Sequence, residues 1–413
     1  MWRAVLRKWT VDRTVSHFSE TKKLPDDYQP PQPQRSGLHI VLTGSTGSLG
    51  TQILVKLASD ARVARISCLD RSPNAHDRVA KSLSSWPKPP VLELRRIAFH
   101  QADSSKPDFG LTQDVLTDLG NTVNVIIHNA WMVNFNHSPA SYEAVHIRRV
   151  LHLIHFSAAS KLCPRIVFAS SISSIANWPS SADGNQPFTI PERMAPSPAV
   201  AQPMGYAESK AVAEQLLAAA TQRAGIRASI VRIGQIAGPV AADNGATWNQ
   251  HEWFPLLLQT SKTRRKIPDA SSLLIGKIDW LPVHLVAAST IDIATGWSDE
   301  RALQVYHLVN PATVPWAQVL PAVQHRLGGI EAVSLHEWVH DLSSTAANGD
   351  DDAALPAKKI LDFFKGMLER GEYMESNDIK VATEEVQRAS PGLAKLGPVQ
   401  GVWIERWIKD LGI

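Results

Sequence analysis

From Leu38 onward the chain alternates short apolar runs with longer amphipathic ones. HIVLTG is followed by TQILVKLAS, ARISCLD by a helical run over Val79 to Ser84, and then come ELRRIAFHQAD and NVIIHNA. The pattern continues through the helix-like VLHLIHFSAAS, the strand RIVFASS, the helix YAESKAVAEQLLAAATQRA and the strand RASIVRIG. Short runs that are apolar on both faces read as strands buried between two layers, and the helical stretches between them supply the crossovers. The alternation predicts an α/β fold, a Rossmann-type doubly wound parallel sheet. After about Gly238 it weakens, Trp and Pro become frequent, and a strand-like GKIDWLPV precedes the helix-like HLVAASTIDIATG and a helical tail. A smaller, mostly helical C-terminal substrate lobe is expected. The boundaries read as an N-terminal helix and Pro-rich linker over 1–36, the sheet domain over 37–245 and the second lobe over 246–413, with a return to the sheet domain near 276–296.

Trp2, Val5, Leu6 and Trp9 stand at helical spacing with Arg3, Arg7 and Lys8 between them, which predicts a short amphipathic helix. A mitochondrial presequence shares that pattern but avoids the acids that follow at Asp12, Glu20, Asp26 and Asp27. Packing onto the main body is the expectation. Residues 346–354, with three consecutive Asp, read as a solvated loop.

Composition narrows the function classes. Of 413 residues 44% are hydrophobic and 20% charged, enough apolar material for a large core, and the formal net charge is only +3. That balance argues against nucleic acid as the main partner. Two cysteines, Cys68 and Cys163, make no disulfide framework and no metal motif, and no apolar run is long enough for a membrane span. A cytoplasmic protein without a metal is expected.

Thr43-Gly44-Ser45-Thr46-Gly47-Ser48-Leu49-Gly50 directly follows the first strand and opens the first helix. Glycines at this spacing give a tight turn, backbone approach to a pyrophosphate and close contact of helix and strand, while the helix N-terminus offers free N–H groups to the anion. About twenty residues on, Asp70 and Arg71 close the second strand where an adenosine ribose would lie. An acid there binds ribose hydroxyls and favours NAD; a guanidinium pairs with a 2′-phosphate and favours NADP. NADPH is expected over NADH. Asp103 is placed for the adenine amino group, Asn129 and Ala130 for the floor under the cofactor, and Ile233, closing the strand RASIVRIG, for the same site.

Tyr206 and Lys210 lie one helical turn apart on one helix face. A phenol with a reference pKa near 10 is a reluctant acid or base at neutral pH, and a cation beside it stabilises the phenolate. Lys210 also suits the nicotinamide ribose. Among Ser170, Ser171, Ser173 and Ser174, the hydroxyl just past the strand edge that faces Tyr206 is taken as Ser171. The other serines are expected to satisfy turn backbone.

Several stretches carry more than the general dehydrogenase pattern: CLDRS, VIIHNAWMVNFN, GYAESK, VRIGQIAGP, TWNQHEWFPLLLQTS, IDWLPVH and a helical region around Phe363 to Tyr373. Together they resemble the thioester reductase domain of fungal nonribosomal peptide synthetases, polyketide synthases and adenylate-forming reductases, within the extended short-chain dehydrogenase/reductase superfamily. The resemblance implies that NADPH reduces an acyl thioester on a carrier protein's phosphopantetheine arm and that the product leaves as an aldehyde, in some cases reduced on to the alcohol. It matches Ser171, Tyr206 and Lys210 to the family's catalytic triad and Arg71 to its NADPH-recognising position. Asp70 departs from the neutral residue of the family pattern. An acyl-phosphopantetheinyl carrier protein or domain is the implied partner, and a monomer is expected. Trp131, Met132, Asn134, Trp248, Trp253 and Phe254 are candidates for the acyl pocket. Lys262, Arg264, Arg265 and Lys266 form a basic cluster suited to a phosphate or an acidic carrier helix, or simply to solvent. The competing reading is an extended dehydrogenase acting on a free aldehyde or ketone. It shares the glycine loop and the triad but leaves WNQHEWFP and DWLPVH unexplained.

Overall fold

A computed structural model describes residues 37–103, 105–134, 136–178, 188–240, 247–269, 277–296, 302–347, 355–373 and 380–413. The amphipathic segment and linker over 1–36, and the acidic stretch over 348–354, lie outside them.

Seven strands build one parallel sheet: β1 (Leu38–Thr43), β2 (Val63–Asp70), β3 (Ile97–Gln101), β4 (Val125–His128), β5 (Arg165–Ser171), β6 (Ala228–Ile233) and β7 (Leu303–Leu308). Their spatial order is β7-β6-β5-β4-β1-β2-β3. Chain order reverses between β1 and β4, and it is outside the carboxyl ends at such a reversal that α/β sheets bind ligands. The central strands read as unbroken apolar runs because both faces are covered: every residue of β1, β4 and β6 is buried. The connecting helices are α1 (Ser48–Ser59), α2 (Ala75–Ser84), α3 (Gln113–Thr122), α4 (Arg148–Ala159) and α5 (Gly205–Ala224). One core fills the face under α1, where Ile40, Leu42, Ile53 and Leu57 pack with Val125 and Val167. A second fills the opposite face, where Val41, Ile126 and Phe168 meet Ile154, Leu216 and Leu217.

A third core belongs to the second lobe. It joins α6 (Trp253–Arg264), α8 (Trp316–Arg326), α9 (Leu335–Ala347), α10 (Leu361–Tyr373) and α11 (Gly401–Asp410) around Trp248, Phe254, Trp280, Trp316, Trp338, Phe364 and Trp407. These aromatics meet mostly edge to face, Phe254 and Trp280 at 4.4 Å between ring centroids, an arrangement that aligns ring edges with ring faces. The Trp-rich composition after Gly238 is thereby explained.

The return to the sheet is longer than the 276–296 expected from sequence. Helix α7 (Val283–Thr295) packs on α1 through Val286, Ala287 and Ile291, and β7 then adds an edge strand beside β6. Val386 and Leu393, near the end of the chain, also join that core. LQVYHL is half polar, as an edge strand can be, and that is why the alternation did not reveal it.

Candidate active site

The glycine loop sits where the sheet requires it, between the end of β1 and the start of α1. Gly44 adopts φ +74°, and a side chain there would lie 2.9 Å from the Ala130 Cα. A Cβ on Gly50 would lie 1.8 Å from the Gly44 carbonyl oxygen, so α1 can approach the loop only without one. Asn129 reaches the same carbonyl at 3.5 Å, and Thr43 Oγ1 accepts the Ala130 N–H at 3.1 Å. The loop and the end of β4 are thus one rigid wall.

Asp70 lines the cleft and also braces that wall. Its carboxylate accepts the Ser45 N–H at 3.0 Å and the Ser45 hydroxyl at 2.5 Å, and the residue is buried. Burial pushes its pKa up, against the lowering effect of the two Ser45 hydrogen bonds. Both carboxylate oxygens are engaged by the loop while the residue lines the cleft. At the same end of the cleft stand Arg71, Arg78 and Arg149. Burial, and then the nearby Arg71 charge, lowers the Arg149 pKa to about 10, which keeps it cationic at neutral pH. Asp103 is not among the lining residues; its carboxylate accepts from Ser105 N and Oγ.

The cleft holds about 600 Å³ and runs from these arginines past Gly44, Thr46, Gly47, Ser48 and Leu49 to Ser171, Tyr206 and Lys210, with Asn129, Ala130 and Ile233 along its wall. Tyr206 occupies the first turn of α5, and its hydroxyl is hydrogen-bonded to Ser171. Burial pushes the phenol up to about 12, against the lowering effect of that bond. Lys210 is buried one turn on; its Nζ donates to the Ala169 carbonyl at 2.5 Å and lies 4.3 Å from the Trp131 ring centroid, 4.8 Å from Phe168 and 5.8 Å from Tyr206. Burial drives its pKa well down, and the Glu214 carboxylate opposes that shift. Three aromatic rings and the Ala169 carbonyl surround the amine.

Ser171 caps the short 3₁₀ turn Ile172–Ile175, its Oγ accepting from Ser173 N at 3.3 Å and Ser173 Oγ at 2.9 Å. Ser170 and Ser174 differ from their expected turn role. Both hydroxyls donate to Glu214, Ser174 at 2.7 Å, because that buried carboxylate also needs donors besides Arg232.

The acyl-pocket candidates divide. Trp131 and Met132 line the cleft. Trp248 and Phe254 do not; both are buried in the core of the second lobe. Trp253 packs between Trp280 and Phe363 and donates to Gln235 at 2.6 Å. Asn134 turns to its own loop, where Oδ1 accepts from Asn136 N at 2.9 Å and its carbonyl accepts from the Tyr142 hydroxyl. Sequence reasoning passed over Asn249 and Glu252, which do line the cleft from within the same WNQHEWFP motif. In the basic cluster, Lys266 pairs with Glu337 and Asp341 at 2.8 and 2.9 Å, and Arg265 donates to the Gly328 carbonyl.

Residues 42–290, more than half of the chain, match the NAD-binding family described as Male sterility protein. The chain belongs to that family. Among relatives of this NAD-binding protein is the carboxylic acid reductase of Neurospora crassa, 31% identical over 352 residues; the match takes in 84% of this chain and 32% of that enzyme. It thus spans about a third of the relative's length. Its fold matches the terminal R domain of the myxalamid PKS-NRPS pathway, with a TM-score of 0.75, 23% identity and 97% of each chain covered. It also matches a thiolation-reductase di-domain of an archaeal non-ribosomal peptide synthetase, with a TM-score of 0.67 and 17% identity over 92% of this chain and 76% of that one. The resemblance to thioester reductase domains read from the sequence agrees with all three. Among the described residues no helix is long and apolar enough to cross a membrane, and no group of three or more His, Cys, Asp or Glu could hold a metal ion.

Proposed function

We propose that the chain uses NADPH to reduce an acyl thioester carried on the phosphopantetheine arm of a carrier protein, releasing the acyl group as an aldehyde. The observation that carries this reading is a Tyr206 hydroxyl bonded to Ser171 and followed one turn later by Lys210, in the same cleft as the glycine loop. The relatives that are reductases of carboxylic acids, or R domains of synthetases, direct the choice of substrate toward a carrier-bound acyl group. The residues present fit a dinucleotide: Gly44 and Gly50 leave a cradle that side chains would fill, and the N-terminus of α1 faces it.

When bound, the nicotinamide supplies the hydride. Ser171 Oγ and the Tyr206 hydroxyl donate hydrogen bonds to the substrate carbonyl oxygen, and they strengthen as negative charge gathers there. Tyr206 then gives its proton to that oxygen. The site raises the phenol to about 12, and a proton on Lys210, whose Nζ lies 5.8 Å from the Tyr206 ring centroid, would stabilise the phenolate left behind. Whether the aldehyde is reduced again depends on how quickly it leaves.

The preference for NADPH rests on Arg71, with Arg78 and Arg149 lining the same cleft and the Asp70 carboxylate engaged by Ser45. A guanidinium cluster beside an acid already engaged by the loop favours a 2′-phosphate over bare ribose hydroxyls. Arg71→Ala should raise KM for NADPH roughly tenfold to a hundredfold, as expected for loss of a charged hydrogen bond, and leave KM for NADH nearly unchanged. Equal effects on the two would refute this role for Arg71.

The functional test follows NADPH and NADH absorbance side by side with an acyl thioester of phosphopantetheine, a free aldehyde and a free acid. Thioester-dependent loss of NADPH is expected. Turnover of a free aldehyde or ketone with the thioester inert would move the protein to the free-carbonyl dehydrogenases.

A further inference from the structure

Glu252 takes no part in the chemistry described so far, yet its side chain lines the cleft that holds Ser171 and Tyr206. It occupies the N-cap position of α6. One carboxylate oxygen, Oε2, accepts from Trp248 Nε1 at 2.9 Å and from Gln235 Nε2 at 3.3 Å. Gln235 is itself held by Trp253 Nε1 at 2.6 Å. Two indoles and an amide from WNQHEWFP and the IGQIAG stretch therefore fix the carboxyl through a single oxygen. Among the described residues the other oxygen accepts no hydrogen bond.

The proposed reaction has a proton requirement that the triad does not meet. After hydride transfer, Tyr206 has given its proton to the substrate oxygen. Collapse of the thiohemiacetal returns that proton to Tyr206, so the phenol serves oxygen in both directions and has nothing for sulfur. An alkyl thiolate released into a desolvated cleft is costly. A second acid is needed on the side where the arm departs.

We propose that Glu252 is that acid, donating a proton to the sulfur as the carbon–sulfur bond breaks. The proposal rests on the thioester reading. In the step, the electron pair of the C–S bond goes to sulfur, which takes the Glu252 proton. The hydroxyl proton returns to Tyr206, the C=O bond forms, and the Glu252 carboxylate regains a proton from solvent. The net proton consumed appears on the thiol. The environment supports the role: burial pushes the Glu252 carboxyl up to about 7, against the Trp248 and Gln235 hydrogen bonds, so an appreciable fraction carries a proton at neutral pH. Tyr206 lines the same cleft, and its phenol is raised by burial and then, against the Ser171 hydrogen bond, by the Tyr142 and Glu252 charges.

The test varies the leaving group. Glu252→Gln keeps an amide oxygen able to accept from Trp248 and Gln235, and NADPH titration of the variant checks that its cofactor site is intact. Wild-type protein and variant are compared on two synthetic thioesters with one acyl group, an alkyl thioester and an aryl thioester whose thiol is acidic enough to leave unprotonated. The variant should lose about a hundredfold or more in kcat on the alkyl thioester and far less on the aryl one. Equal losses on both, or no loss on either, would overturn the role of Glu252. Wild-type protein inert toward both thioesters would instead overturn the thioester reading itself.

Discussion

Tyr206→Phe should reduce thioester-dependent NADPH oxidation by about a thousandfold or more while leaving NADPH binding nearly unchanged. The change removes one oxygen. It deletes the proposed proton donor and one of the two hydroxyls proposed to meet the developing oxyanion, and general acid catalysis and an oxyanion donor are each worth roughly a hundredfold to ten-thousandfold and a hundredfold to a thousandfold. The two roles act as a unit, so their effects will not multiply. The ring that packs in the first turn of α5 is retained, and Lys210 keeps its bond to the Ala169 carbonyl and its place over Trp131. Cofactor titration and kcat together check this: a variant that binds NADPH normally and turns over at more than a tenth of the wild-type rate would remove Tyr206 from the chemistry.

Glu214→Ala should cost about 3–5 kcal/mol of stability, the range for breaking a buried ion pair by removal of one partner. Glu214 stands two turns after Tyr206 on α5. Arg232 donates to its carboxylate through Nε at 3.1 and 3.2 Å and through Nη2 at 2.7 Å, and both side chains are essentially inaccessible. Ser170 and Ser174, on either side of Ser171, donate to the same carboxylate. Arg232 also donates to the Arg193 carbonyl at 3.0 Å and to His307 Nε2 at 3.1 Å. Burial, and then the Arg232 charge, lowers the His307 pKa to about 3, so the ring is neutral and can accept there while Nδ1–H bonds to the Ala382 carbonyl. Alanine would leave a guanidinium buried without its carboxylate and free the serine turn from the catalytic helix. A denaturant midpoint shifted by less than about 1 kcal/mol equivalent would show that the pair is dispensable. Activity should fall further than the folded fraction does, because Ser171 loses the two anchored neighbours that position it.

The sheet and its site were legible to different depths. Strands β1, β2, β4, β5 and β6 could be read because each is apolar on both faces and bounded by turn residues. The glycine loop could be read because strand, turn and helix N-terminus occur in order, and Tyr206 and Lys210 because their spacing has a chemical use on a helix. What depends on a side chain's direction was less accessible. Asp70 stands at the ribose position in sequence and lines the cleft, but the two donors that Ser45 offers its carboxylate could not be read there. Trp248 and Phe254 belong to a motif that reaches the cleft, yet residues at different angles around that segment have different surroundings, and it is Asn249 and Glu252 that face in. Arg149 sits in the first turn of α4, among residues whose pattern shows only amphipathicity. Its nearness to Arg71 arises from the packing of α4 beside the sheet, a contact between residues 78 positions apart.

The final stretch of the chain completes the layer that its first strand begins. Val386 and Leu393 join the core under β1, Ala382 accepts from His307, and Glu192 accepts from the backbone of His307, Glu385 and Val386. A ribosome delivers residue 390 long after residue 210. The central strands are therefore made early, but the core under α1 is filled only when synthesis reaches these residues. Contacts so distant in sequence carry a large loop-closure cost before they return any stability, which makes such topologies slow to form. The second lobe waits as well, because Trp407 and Ile404 of α11 belong to its core. Completion of both cores is thus a late event in the life of the nascent chain, and an internal stop near residue 380 would leave each of them unfinished.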